Sequence, residues 1–434
     1  MKILIALFLA LTSSAHADSW NSTNDPSNLS EAYNYTFDRM PLSGGVASDH
    51  MPWSDNYWES DWGGISLRWN TLTVAQRDPD LFEYRAVDRQ ALFQYVPPSL
   101  AQLKTMSREA LINLSPAEKY DILMSRYDYP TVQSERERTD PGMHDWQGIC
   151  HGWVPAAINH VEPLPVDVTN SDGMVIPFGS TDVKGLFSYY YGVTAYDYAR
   201  GERKVARSGS LFQVLDQIDL FDPSTWVSLT PGAVVFNGNG GQISPDSLND
   251  SAACADPAIW AQYGSVEKCK IAFSISGNVP DLNGVGQVGA RGSKSDPNAG
   301  AFHVVMTNQL GLMHRAFAAN LNRFGKATEI WNQPVTSYES RVDYDNGNRR
   351  GRRVGITTTL TFVTESPQSF EAVVGTPLQR FEKMVFSYEL EIDSSGQIVG
   401  GNWRGGKHPG FLWKHDPIAI KGYFTKLNEI YHPH

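Results

Sequence analysis

The stretch HDWQGICHGWVPAAINHV, residues 144–161, decides how this chain is read. It sets one cysteine, Cys150, among Trp, Gly and His, and its second half can continue as a helix. Pro155 lacks an N–H and is comfortable only in a first turn, which makes Gly152 the earliest easy N-cap. Cys150 is then expected just before the helix or in a kinked first turn. Either placement sets the sulfur near the positive end of the helix dipole. A cysteine nucleophile reacts as thiolate, and a helix N-terminus or an imidazolium brings a thiol pKa down to roughly 3.5–7.5. The plain alternative is a helix start that happens to contain a cysteine.

Export bears on that choice. Lys2, the apolar run Ile3 to Leu11 and the small residues of Ala15-His16-Ala17 read as a cleavable secretory signal, with the mature chain starting near Asp18. The apolar run is too short to span a bilayer, and no later segment approaches the needed length. In an oxidising compartment an unpaired thiol is a liability, so Cys150 points toward function. Cys254 and Cys269 flank ADPAIWAQYGSVEK, a loop that a disulfide would close with a gain of roughly 3 kcal/mol in the chain-entropy model.

The chain carries 47 acidic against 36 basic residues, and a net charge of −11 repels nucleic acid. Its 434 residues exceed the usual size of one core, so two packed lobes are expected. Residues 18–60 lack periodicity and read as an extended arm. Residues 61–135 read as a partly helical N-terminal lobe, and 136–434 as an α+β domain. Ser115-Pro116-Ala117-Glu118 is a capping box with Pro at the first helical position. The polar run Thr131 to Gly142 reads as a linker, and Ser180-Thr181-Asp182 as the cap of a helix. Strand character is expected at Lys270–Ile275, Phe302–Thr307 and Ala327–Val335. Val335–Tyr344 and Arg352–Thr364 flank the hairpin signal Asn346-Gly347.

Four familiar motifs are absent, incomplete or out of context. Gly284, Gly286 and Gly289 match GxGxxG, but the next residues, ARGSKSDPNAG, cannot open the helix a dinucleotide needs. Asp343-Tyr-Asp345-Asn346-Gly347 mimics a calcium loop with its Gly one place early. Neither CxxC pairs nor HExxH occur, so no metal site is expected.

A nucleophile needs a base, an orienting group and an oxyanion donor. His303, in GAFHVVMTNQL, is the base expected at the rim of an apolar strand; His144 and His151 ride the same loop as Cys150. Asn332, in TEIWNQPV, is the expected orienter of that imidazole, with Asp296 and Glu329 as acidic alternatives. Strand alternation would place Ile330 and Asn332 on one face and Glu329 and Trp331 on the other. The Cys150 N–H and the Gln147 amide would form the oxyanion hole. Trp146, Trp153 and Trp331 would wall the site and favour a lysine stem over water.

SPAEKYDILMSRYDYP, DWQGICHGWVPAA, STDVKGLFSYYY, AFHVVMTNQLG and above all IWNQPVTSY, in order from Ser115 to Tyr338, resemble the transglutaminase elicitor family. Its founding members are secreted oomycete cell-wall transglutaminases, with relatives in marine bacteria. The WNQPV stretch corresponds to the segment that plants recognise; after it this chain reads TSYES, where a basic residue and glycine are usual. The resemblance implies a papain-like core in which Cys150, His303 and an Asn or Asp form isopeptide bonds between protein Gln and Lys side chains. A papain-like cysteine protease or a glutamine deamidase would use the same residues with water as acceptor. A non-catalytic cell-surface binding protein would use the arm and exposed aromatics instead. No cofactor is required by this chemistry; calcium dependence is common among transglutaminases.

Overall fold

A computed structural model describes residues 24–194, 235–236, 242–243, 297–321, 329–348 and 351–433. The leader, the Cys254/Cys269 pair, the GxGxxG stretch, the strand expected at Lys270–Ile275 and Asp296 lie outside those residues.

Helices of eight residues or more are α1 (Pro116–Leu123), α2 (Pro130–Arg138), α3 (Cys150–Asn159), α4 (Ser180–Tyr189) and α5 (Ala299–Met306). The α1 cap forms as its sequence dictates. Glu118 N–H donates to Ser115 Oγ at 3.2 Å, and Ser115 N–H donates back to Glu118 Oε2 at 2.9 Å. In α4 the cap shifts by one: Gly179 is the N-cap, and its N–H donates to Asp182 Oδ2 at 2.7 Å. The expected linker is helix α2, opened by Pro130. Its polar residues support a helix and not a linker, because Arg138 and Glu135 pair along it at 2.7 Å.

The strands are β1 (Ser43–Gly45), β2 (Val166–Thr169), β3 (Val175–Phe178), β4 (Val235–Phe236), β5 (Gln242–Ile243), β6 (Phe317–Asn320), β7 (Asn332–Asn348), β8 (Gly351–Val363), β9 (Phe381–Ile392), β10 (Ile398–Trp403) and β11 (Phe411–Trp413). Antiparallel pairing runs β10-β9-β8-β7-β6-β11. From Val335 onward one edge of the long β7 pairs β8, while the other edge is shared between β6 and β1. The expected hairpin is β7–β8, and its ladder continues past Asn346-Gly347 to Asn348↔Gly351.

Alternation along the strands divides two apolar clusters. Ala318, Phe411 and Trp413 join the cluster around α1, α3 and α4. Phe317, Ala319 and Leu412 join the cluster around α5. Mixed helix and antiparallel sheet agree with the α+β expectation. The arm and lobe divisions fare differently. Residues 52–67 are buried throughout, and the first cluster runs from Trp53 to Ile430 across the boundary placed at 135. Trp53, Tyr57, Trp58 and Trp62 carry too much apolar surface to stay in water. The short 3₁₀ turns that bury them, Ser60–Trp62 and Gly64–Ser66, leave no periodicity to read.

An ion pair lies inside the first cluster. Lys119 Nζ of α1 meets Asp182 Oδ2 of α4 at 2.6 Å, with both side chains fully buried. Asp182 Oδ1 accepts from the Trp69 indole N–H at 2.8 Å, so its oxygens are satisfied. Burial pulls the Lys119 ammonium below its usual range, and Asp182 opposes that pull. Lys119→Met is expected to destabilise the fold by roughly 3–5 kcal/mol, because it strands a buried carboxylate. Chemical denaturation of Lys119→Met and of the double variant with Asp182→Leu checks this; the double variant should recover the part of the loss due to the stranded charge and not the part carried by the Gly179 and Trp69 hydrogen bonds to Asp182.

Candidate active site

Cys150 is the first residue of α3, further upstream than Pro155 suggests. Ile149, the N-cap, offers its carbonyl to both Gly152 N–H and Trp153 N–H at 2.9 Å, a tightened first turn. Pro155 therefore sits inside the helix, where it removes the hydrogen bond that the His151 carbonyl would accept.

Two segments hold this helix start. Ile149 N–H donates to the Tyr57 carbonyl and Ser60 N–H to the Gln147 carbonyl, each at 2.8 Å. Tyr57 O–H donates to the Asp145 carbonyl. Gly148 is obligatory, because a Cβ there would stand 2.6 Å from the Tyr57 ring and carbonyl. Trp58 turns the strap with φ +56°, a left-handed conformation rare for a bulky residue. From the other side α4 closes on Gly152, where a Cβ would stand 2.0 Å from the Ser188 carbonyl.

The sulfur faces the start of β7. Asn332 Nδ2 lies 3.5 Å from Cys150 Sγ, and the Ile330 carbonyl accepts from the thiol at 3.9 Å. Asn332 Oδ1 accepts the Trp413 indole N–H at 2.9 Å. Trp331 packs its ring edge-on to Tyr57 with centroids 5.4 Å apart and donates its indole N–H to Glu329 Oε2 at 3.0 Å. Because β7 begins only at Asn332, the alternation expected for 329–331 does not apply, and Trp331 lies in the same cluster as Cys150.

The structure brings Cys150, Asn332 and Trp331 together and sends His303 elsewhere. His303 lies on helix α5, not on a strand. Its Nδ1 shares a hydrogen bond with Tyr388 O–H at 2.8 Å, its ring lies 5.9 Å from that of Phe37, and its Nε2 is buried with no partner among the described residues. Burial pushes its pKa down to about 3. Tyr388 pairs with Ile356, and Ile356 with Val342, ten residues beyond Asn332 on β7. That is roughly 30 Å of strand path. Tyr388 and Phe37 also belong to the α5 cluster, on the sheet face opposite Cys150. The apolar run AFHVVM has the composition of a strand, but it comes after Asn298, whose side chain caps Gly300 N–H at 2.8 Å and starts a helix.

The remaining expectations divide. Gln147 turns its Oε1 back to His144 N–H at 2.9 Å, pinning the turn before the cysteine. Glu329 Oε2 accepts the Trp331 indole N–H. Trp153 is fully buried and donates to the Trp53 carbonyl at 3.4 Å, so it is core; Trp146 packs half-buried on the same cluster. His151 Nε2 meets the Gly192 carbonyl at 3.2 Å, and His144 is exposed on the turn leading into α3. Trp413 and Tyr57 are the site residues the sequence hid, since they stand 81 and 88 residues from their partners Asn332 and Asp145. Among the described residues no three His, Cys, Asp or Glu side chains are grouped to hold a metal ion.

Residues 31–200, which include Cys150, match the family described as transglutaminase elicitor. The similarity to that family is thus carried by the N-terminal part of the chain, Cys150 included. The crystal structure of the GP42 transglutaminase from Phytophthora sojae matches with a TM-score of 0.51 at 16% identity, over 96% of this chain and 98% of that one. That likeness is one of fold. No curated protein matches the chain. The transglutaminase elicitor match ends before β7, so Asn332 and Trp413 rest on geometry alone. Among the described residues no helix is long and apolar enough to cross a membrane.

The strap beneath the site carries titratable groups. Glu59 is fully buried, with Oε1 accepting Tyr84 O–H at 2.8 Å and Asn56 Nδ2 at 3.2 Å. Burial raises its carboxyl from 4.5 to about 7. The folded state therefore favours the protonated acid. Its contribution is fully present below about pH 4.5 and fades as pH rises through 7. Glu59→Gln should shrink the stability lost between pH 5 and pH 8, each pH unit being worth up to about 1.4 kcal/mol; denaturation midpoints at both pH values measure it. His303→Gln should lose thermal stability, read as a lowered melting temperature, because it removes the imidazole that Tyr388 holds.

Proposed function

We propose that this chain is a protein-glutamine γ-glutamyltransferase, a transglutaminase with Cys150 as nucleophile. The observation that carries the reading is the thiol at the N-terminus of α3 facing an amide donor, Asn332, inside residues walled by Tyr57, Trp331 and Trp413. The family match over residues 31–200 supports the same class.

The chemistry runs through a thioester. Thiolate Sγ attacks the γ-carboxamide carbon of a substrate glutamine, the S–C bond forms, and the C–N bond breaks with ammonia taking a proton. A lysine amine then attacks the thioester, the S–C bond breaks, and the sulfur is regenerated as an isopeptide bond forms. These proton transfers call for an imidazole, and His303, held by Tyr388 in the α5 cluster, is not placed to supply it. The aromatic wall favours a lysine stem over water, which separates this reading from protease or deamidase action. Asn332 takes the role of a donor at sulfur, not of an imidazole orienter. The leader-like residues 1–17 support a secreted enzyme, and the chemistry is one for proteins with accessible Gln and Lys.

Incorporation of a fluorescent amine into a glutamine-bearing protein, with ammonia release followed in parallel, tests the reading. Wild type should do both, and Cys150→Ala should do neither while keeping its melting temperature. Ammonia release without incorporation would make the enzyme a deamidase, and activity surviving in Cys150→Ala would sink the nucleophile.

A further inference from the structure

We infer that Trp413 is a positioning residue whose indole N–H fixes the Asn332 amide in the orientation that aims an N–H at the Cys150 sulfur. The inference rests on the transglutaminase reading for its purpose, though its test does not.

Donors and acceptors must match at both ends of the amide. An indole N–H can only donate, and an amide group offers one oxygen acceptor and one nitrogen donor. Trp413 Nε1 stands 2.9 Å from Asn332, so the atom facing it must be Oδ1, and Nδ2 must be the atom 3.5 Å from Sγ. Were the amide flipped, two donors would face each other at one end and an oxygen would face the sulfur at the other. The flip that is ordinarily a matter of assignment is decided here by chemistry.

The surroundings lock both partners. Asn332 is 1% exposed and is the first residue of β7, paired with Asn320 of β6. Trp413 is the last residue of β11, paired with Ala318 of β6. One short strand thus sets the spacing between indole and amide, and side chains on both flanking strands point to the Cys150 face. The Ile330 carbonyl at 3.9 Å suits a protonated thiol, whereas the Nδ2 donor suits the thiolate. The arrangement gives the anionic sulfur a donor that does not depend on pH.

Titration of Cys150 by thiolate absorbance near 240 nm, read as the difference from Cys150→Ser, tests this without a substrate. Replacing Trp413 with Phe keeps the apolar ring and removes the N–H. Its Cys150 midpoint should rise by about one unit, a tenfold loss of thiolate at a given pH, as expected for a lost hydrogen bond to a charged group. Asn332→Ala should shift the midpoint as far, and Asn332→Asp, nearly isosteric but unable to donate, at least as far. If Trp413→Phe does not fold, Asn332→Asp decides the matter. A folded Trp413→Phe or Asn332→Asp titrating like wild type would overturn the inference. Absence of amine incorporation in the wild type would overturn the proposed function and leave the shifted titration standing.

Discussion

The buried ion pair between Lys119 and Asp182 is the constraint on which the rest of the site leans. Two desolvated charges at 2.6 Å tolerate little displacement, because separating them leaves each without solvent. They fix α1 against α4, and α4 in turn presses on α3 at Gly152, two residues from the sulfur. The same carboxylate takes the Gly179 N–H that starts α4 and the Trp69 indole. A single acidic side chain thus sets a cap, an ion pair and an aromatic contact, and through them the height at which Cys150 meets the sheet. Replacing it by an apolar core would remove the desolvation penalty, yet it would also release α4 from its register.

The sheet acts as a partition. Strand alternation sends Trp413 and Leu412, neighbours in sequence, to opposite faces. The Cys150 face is lined with polar partners: Asn332, the Ile330 carbonyl, the Tyr57 strap. The α5 face holds a linear chain from His303 through Tyr388 and Thr358 to Ser340, at 2.8, 2.8 and 2.7 Å. That chain links hydroxyls across three strands and gives the Nδ1 side of His303 a structural partner, while its Nε2 stays buried without one among the described residues.

Locality decides which features are legible in the sequence. The α1 capping box, the β7–β8 hairpin and the cysteine at a helix start each depend on residues within a few positions, and each is found. The buried strap and the Trp413–Asn332 bond depend on residues brought together from far along the chain, and no periodicity announces them. The error at His303 has the same root. AFHVVM is apolar on every side because it is buried on every side, and an apolar run of that length does not distinguish strand from helix without its cap, Asn298.

The five residues of WNQPV show how function and fold share one stretch. All five are buried. Trp331 and Asn332 serve the cysteine face, while Val335 belongs to the α5 cluster and Gln333 donates to Glu365 at 2.8 Å. Substitution anywhere in the stretch therefore disturbs a different layer. A change at Asn332 removes a donor from the sulfur, and a change at Val335 opens a cavity behind the sheet. In the intact chain these side chains build the site and do not present themselves to an outside partner, so an interaction that reads them requires the strand start to open first.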